Sequence, residues 1–208
     1  PVKPYVEQVG KMVDLNLITN GGLKVVVDSM YGAGGGYLPF LLRGGSTLVT
    51  EINGDPNPAF PGICQPEPIA SNLRLLSQVV IDQNADVGIA LDGDGDRLGI
   101  VDENGCFVTT LQAFALIALY LLEVKHQRGP LVKSLTSTSM IDKLGKLYRV
   151  PVYETPVGFK YIGPKMAQAE ALMGGEESGG FGFRGHIPER DGILSGLLIL
   201  ELIVRTGL

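Results

Sequence analysis

The feature that most restricts the fold of this chain is an alternation of short β-branched strands with helical-period segments, run through twice. Val6, Val9, Met12 and Val13 recur at helical spacing and predict a helix over residues 5–17. Asn20-Gly21-Gly22 breaks it, and strands follow at 23–28 and 47–53. A helix over 68–83, strands at 87–91 and 98–102 and a buried helix over 111–124 complete the first pass. Gln127-Arg128-Gly129-Pro130 reads as a linker, after which the pattern restarts. The second pass predicts strands at 131–135, 152–155, 171–173 and 181–184 and helices over 140–148, 161–169 and 191–204. The expected architecture is α/β: two three-layer α/β/α domains with mixed, mostly parallel sheets, occupying residues 1–126 and 127–208. A chain of 208 residues that is 45% hydrophobic has enough apolar material for two cores.

Charge and apolar runs exclude several roles. The formal net charge is −5 and no Lys/Arg cluster stands out, which argues against nucleic acid as a partner. The longest apolar run, residues 111–124, is too short to span a bilayer and contains Gln112, so no membrane role is expected. Cys64 and Cys106 stand far apart without metal-ligand spacing, as in cytoplasmic proteins. The chain opens at Pro1-Val2-Lys3 with neither signal peptide nor methionine, which suggests a processed, cut or partial chain.

Between the strands at 87–91 and 98–102 lies Asp92-Gly93-Asp94-Gly95-Asp96-Arg97. Three hard carboxylates alternating with glycines suit a magnesium-like cation, because the backbone can curl until all three face one point. Their mutual repulsion also has to be offset by something positive. Arg97 adds a fixed positive charge beside the cation, which invites an anion such as phosphate. A calcium EF-hand is the rival, with Asp92, Asp94, Asp96 and even Glu103 in register; it fails at Arg97, where the loop needs glycine, and on its strand flanks.

Two further segments lie at the ends of strands, where open α/β sheets bind ligands, and a third leads into the last helix. Gly174-Gly175-Glu176-Glu177-Ser178-Gly179-Gly180 offers two acceptor carboxylates and a hydroxyl among glycines, a pattern suited to sugar hydroxyls. Glu154-Thr155-Pro156-Val157-Gly158-Phe159-Lys160 leads into a helix, where Lys160 can meet a phosphate at the N-terminus. His186, Arg190 and Asp191 precede the last helix, with Asp191 a natural N-cap. The turn Gly32-Ala33-Gly34-Gly35-Gly36 lacks a P-loop ending and reads as tight packing, and residues 54–68, with five prolines, read as an irregular loop.

Taken in order, DGDGDR, ETPVGFK, GGEESGG and a Glu-Arg-Asp-Gly helix start resemble the α-D-phosphohexomutase family of phosphoglucomutases and phosphomannomutases. The opening helix, KVVVDSMYGAG and the PEP-containing loop resemble it too, so nearly the whole chain is covered. The family has four domains, and this chain resembles the second and third. The first normally supplies a phosphorylated serine in a Thr-Ala-Ser-His-Asn-Pro-like loop, and the fourth a phosphate-gripping Arg-Pro-Ser-Gly-Thr-Glu-Pro-like loop. Neither occurs in residues 1–208, so this chain alone is expected not to turn over.

The resemblance implies that Asp92, Asp94 and Asp96 bind Mg²⁺ and that Arg97 pairs with the phosphoserine of the missing first domain. Glu176 and Ser178 would hold hydroxyls of a hexose phosphate, glucose by preference, with Gly158 and His186 also lining the substrate. Lys160, Arg190 and Lys133 would neutralise the sugar's phosphate or assist proton transfer. The implied chemistry is cytoplasmic phosphoryl transfer through a hexose 1,6-bisphosphate. Val157, Phe159 and Arg190 stand where some relatives carry Thr, His and Lys. Arg190 stays protonated and is unsuited to general base work, which leaves Lys160 and His186 as candidates for proton transfer. The alternative is a non-catalytic module that binds Mg²⁺ and a sugar phosphate.

Overall fold

The computed structural model describes residues 2–207, which form two compact units. The first takes the chain up to Thr109 and resumes at Gly192, while the second runs Thr110–Asp191.

The first unit is built on a five-stranded sheet of β1 (Lys24–Asp28), β2 (Leu48–Ile52), β3 (Val87–Leu91), β4 (Leu98–Asp102) and β5 (Phe107–Val108), in the order β2-β1-β3-β4-β5. β1 pairs parallel with β2 and β3, whereas β3 and β4 form an antiparallel hairpin closed by Leu91 opposite Leu98. That hairpin is the frame of the acidic loop. Helices α3 (Tyr37–Leu41), α4 (Arg74–Gln83) and, from the far end of the chain, α8 (Gly192–Thr206) pack on the sheet, while α1 (Lys3–Met12) leads into α2 (Leu15–Thr19), which packs on α8. Strand alternation sends Val26, Ala90 and Val101 to one face, where they join Leu76 and Val80 of α4. Ile89 and Leu98 point to the other, where they lie against Gly196 of α8.

The second unit has a four-stranded sheet of β6 (Leu131–Ser134), β7 (Val152–Thr155), β8 (Met173–Gly175) and β9 (Phe181–Phe183), ordered β7-β6-β8-β9. Only the β8–β9 pair is antiparallel. α7 (Phe159–Ala169) covers one face with Ile162 and Met166. α5 (Thr110–Leu119), which winds into a π-helical turn over Tyr120–Val124, and α6 (Met140–Tyr148) lie on the other. The two glycines of β8 show why bulk is excluded there: a Cβ on Gly174 would strike Met166, and one on Gly175 would strike Phe114 and Phe181.

Several expectations need correction. The predicted opening helix is two helices, because Val13 is extended and Asp14 starts α2 by accepting from the Leu17 N–H at 3.0 Å. α4 begins at Arg74 rather than residue 68, since the prolines hold the preceding segment in turns. β8 begins at Met173 because Ala171 still bonds back to the Met166 carbonyl and closes α7. α3 and β5, of five and two residues, carry too little periodicity to be read.

The division of the chain also differs from the expected 126/127 boundary. The helix at 110–119 joins the second unit because Phe114 stacks on Phe181 at 5.4 Å. α8 joins the first because it packs on α2, α3, β3 and β4. The expected linker at 127–130 is a packed connection: Gln127 donates to the Leu121 carbonyl and Leu172 to the Pro130 carbonyl.

Candidate active site

The acidic loop is shaped by its own first residue. Asp92 is 3% exposed, and its Oδ1 accepts the backbone N–H groups of Asp96 at 2.8 Å and Arg97 at 3.0 Å. Gly95 turns the chain with φ +79°, where a side chain would be strained. Neighbouring segments grip the loop on several sides. The Ala33 N–H reaches the Gly93 carbonyl at 2.9 Å, Gly93 donates to the Pro66 carbonyl at 3.0 Å, and Gly192 at the start of α8 donates to the Gly95 carbonyl at 3.1 Å. The glycine-rich turn therefore packs on the acidic loop as well as joining strand to helix. A Cβ on Gly32 would lie 2.5 Å from the Gly93 oxygen, so only glycine permits this approach. Glu51 of β2 fastens the turn by accepting from Ser29 Oγ at 2.7 Å and the Gly36 N–H at 2.9 Å.

Asp92, Asp94 and Asp96 each offer an oxygen within 4.8 Å of the others. Oxygens sharing one Mg²⁺ at about 2.1 Å lie within about 4.2 Å of each other, so small side-chain rotations bring this trio onto a cation. Burial, reinforced by the charges of Asp96 and Asp94 and opposed by the Arg97 N–H, pushes the Asp92 carboxyl up to about 7. Three crowded carboxylates of this kind fit a hard divalent ion. Arg97 borders them, with Nε 3.4 Å from Asp92 Oδ2 and 3.9 Å from Asp96 Oδ1, while its Nη1 donates to Glu67 Oε1 at 3.0 Å.

In the second unit, Glu176 follows β8 and is buried. Its Oε1 accepts from Ser178 Oγ at 3.0 Å and Arg190 Nη1 at 3.1 Å. Gly180 makes room for that arginine, since a Cβ there would fall 2.2 Å from Arg190 Cδ. The Arg190 guanidinium also lies 5.8 Å from the centre of the Phe159 ring, which brings the start of α7 beside the Glu176 loop. Gly158, with φ +115°, leads into α7, and Lys160 is exposed in its first turn with Nζ 5.1 Å from the Tyr161 ring centre.

Two expected substrate ligands are engaged elsewhere. Lys133 Nζ is held by Asp142 at 2.7 Å and Glu154 at 3.3 Å. His186 Nε2 sits 2.9 Å from Asp191 Oδ2 with both side chains buried. Glu177, which the sequence pairs with Glu176, turns instead to Ser134 Oγ at 2.7 Å.

Comparison with known proteins covers both parts of the chain. Residues 3–105 match the family model for phosphoglucomutase/phosphomannomutase alpha/beta/alpha domain II, and residues 111–208 match that for domain III. The chain belongs to the phosphoglucomutase/phosphomannomutase family. It is 34% identical to a phosphoglucomutase/phosphomannomutase of Thermococcus kodakarensis over 99% of this chain and 45% of that protein. It is 34% identical to phosphoglucomutase 1 of Drosophila melanogaster over 91% of this chain and 34% of that one. A solved phosphomannomutase-type structure from Thermus thermophilus superposes with a TM-score of 0.92 at 39% identity, over 98% of this chain and 47% of that one. The chain thus spans less than half the length of these relatives.

As a member of this family, the chain shows features that local reading missed. Glu67 on Arg97 and the pairing of Asp142 and Glu154 with Lys133 join residues distant in sequence, and no local pattern announces them. No helix among the described residues is long and apolar enough to cross a membrane.

Proposed function

We propose that this chain supplies the metal loop and the sugar-holding loop of a phosphohexomutase. The whole protein would interconvert hexose 1-phosphate and hexose 6-phosphate through a 1,6-bisphosphate, with a phosphoserine and a phosphate grip from further domains. Asp92, Asp94 and Asp96 would hold Mg²⁺, which when bound neutralises charge on phosphoryl oxygens. Arg97 pairs with the transferred phosphate. Glu176 accepts a hexose hydroxyl and Ser178 donates to or accepts from another. Arg190 stays cationic and steadies developing charge, while Gly158 and Lys160 receive the sugar's phosphate at the start of α7. His186 acts through Asp191 on the segment that carries Arg190, and Lys133 through Glu154 on the segment that leads to Gly158. Glucose phosphate is the favoured substrate, and the GEESGG form is what supports that choice. Cys64 and Cys106 are both exposed and free, which suits a reducing cytoplasm.

The observation that carries this reading is the trio of carboxylate oxygens within 4.8 Å of one another beside Arg97, in a chain whose two parts match domains II and III. Conversion of glucose 1-phosphate to glucose 6-phosphate by the full-length protein should require Mg²⁺. Asp94→Ala should lower it by more than about 100-fold with the melting temperature nearly unchanged. Undiminished turnover in that variant would defeat the metal assignment. The 208-residue chain alone should show no turnover, because neither the nucleophile loop nor the phosphate-gripping loop occurs in it. The second reading, a non-catalytic module, calls for tight hexose phosphate binding by this chain alone.

A further inference from the structure

Arg97 is the cation beside the acidic loop, and its guanidinium is already engaged on two edges. Nε faces Asp92 and Asp96, and Nη1 donates to Glu67 at 3.0 Å. Glu67 comes from the proline-rich loop, some thirty residues earlier in the chain. Its backbone is fixed in place: the Glu67 carbonyl accepts from Asn72 Nδ2 at 2.9 Å, and the preceding Pro66 carbonyl accepts the Gly93 N–H at 3.0 Å. Its side chain is 40% exposed and can rotate away without moving that backbone.

The charges around Arg97 decide what this contact does. With all four carboxyls ionised, Asp92, Asp94, Asp96 and Glu67 set four negative charges against the single positive charge of the guanidinium. A divalent cation on the three aspartates, together with the guanidinium beside it, offsets three of those four, and the one left over equals the charge of Glu67. A phosphate monoester arriving at Arg97 would then meet a carboxylate already occupying one arm of the fork. Exposed carboxylate–guanidinium pairs are weak, whereas a phosphate dianion can take the fork with two N–H groups and face the cation as well.

We infer that Glu67 is a placeholder for phosphate on Arg97. It holds the guanidinium in position while no phosphate is present and swings out when a phosphate monoester binds between Arg97 and the cation. The consequence is deliberate weakening: each phosphate must displace Glu67, so phosphorylated groups are released as well as bound. This rests on the metal-and-phosphate reading above.

The test uses the 208-residue chain, Mg²⁺ and O-phosphoserine as the probe, followed by calorimetry. Mg²⁺ affinity is measured first and should be closely similar in wild type and Glu67→Gln. At saturating Mg²⁺, Glu67→Gln should bind phosphoserine about fivefold tighter than wild type. The gain should vanish when Arg97→Met is added. Glu103→Gln, which removes an exposed carboxylate of the same unit, should leave the affinity as in wild type. Equal or weaker phosphoserine binding by Glu67→Gln overturns the placeholder, as does an equal gain from Glu103→Gln or a gain that survives Arg97→Met. Mg²⁺ binding without phosphoserine binding in either form overturns the placeholder alone. Absence of Mg²⁺ binding in wild type overturns the metal reading, and the placeholder with it.

Discussion

Two adjacent carboxylates in the loop after β8 turn to different partners. Glu176 takes Ser178 and Arg190, whereas Glu177 takes Ser134 Oγ at 2.7 Å, and the Glu177 carbonyl accepts from Thr110 Oγ1 at 2.6 Å. Burial raises the Glu177 carboxyl, but hydrogen bonds from Ser134, Thr136 and its own backbone outweigh that and hold it below its ordinary 4.5. A depressed carboxylate contributes stability that is present above the unfolded value and lost as pH falls through the native one. Glu177→Gln should therefore lower stability by about 1 kcal/mol at pH 7. The gap between the two melting temperatures should close as pH drops well below 4.5. A gap of the same size in acid would place the loss in packing rather than charge. Local sequence does not distinguish the two glutamates; Ser134 of β6 on one and Arg190 on the other do.

The elements that build the acidic loop are a hairpin, a glycine turn and a helix start. The hairpin was legible because β3 and β4 are near-continuous apolar runs broken by a charged, glycine-rich insert. Strand β7 and helix α6 fell at the expected residues for similar reasons of period and flanking breakers. The glycine turn was visible as a turn, but its purpose was not, because what requires Gly32 is a carbonyl far along the chain. A Cβ there meets the backbone oxygens of Gly93 at 2.5 Å and Asp92 at 2.8 Å, and backbone cannot step aside as a side chain can. Gly32→Ala should cost about 1–3 kcal/mol of stability. It should also weaken Mg²⁺ binding by about tenfold or more, since the carboxylate that shapes the loop is displaced with it. Calorimetric titration at a temperature where the variant is fully folded separates the two effects. Unchanged Mg²⁺ affinity would mean that the loop keeps its curvature without the turn.

At the scale of the whole molecule, the division of the chain follows burial rather than sequence order. α8 lies at the end of the chain, yet its Leu194, Leu197, Leu198 and Leu200 are buried and it packs on α2, α3, β3 and β4 of the first unit. Buried Glu201 adds a polar tie, accepting the Asp14 N–H at 3.1 Å. A polypeptide of residues 2–109 therefore lacks one layer of its own core and exposes the sheet face around Ile89 and Leu98. Residues 110–191, by contrast, keep every strand and helix of the second unit. The 110–191 polypeptide should melt cooperatively by itself, whereas 2–109 should show no cooperative transition until a peptide of residues 192–208 is added. Circular dichroism melts of the two fragments, with and without that peptide, make the comparison. A cooperative melt of 2–109 alone would show that the sheet and α4 suffice for the core, and that α8 is an accessory to the unit rather than one of its layers.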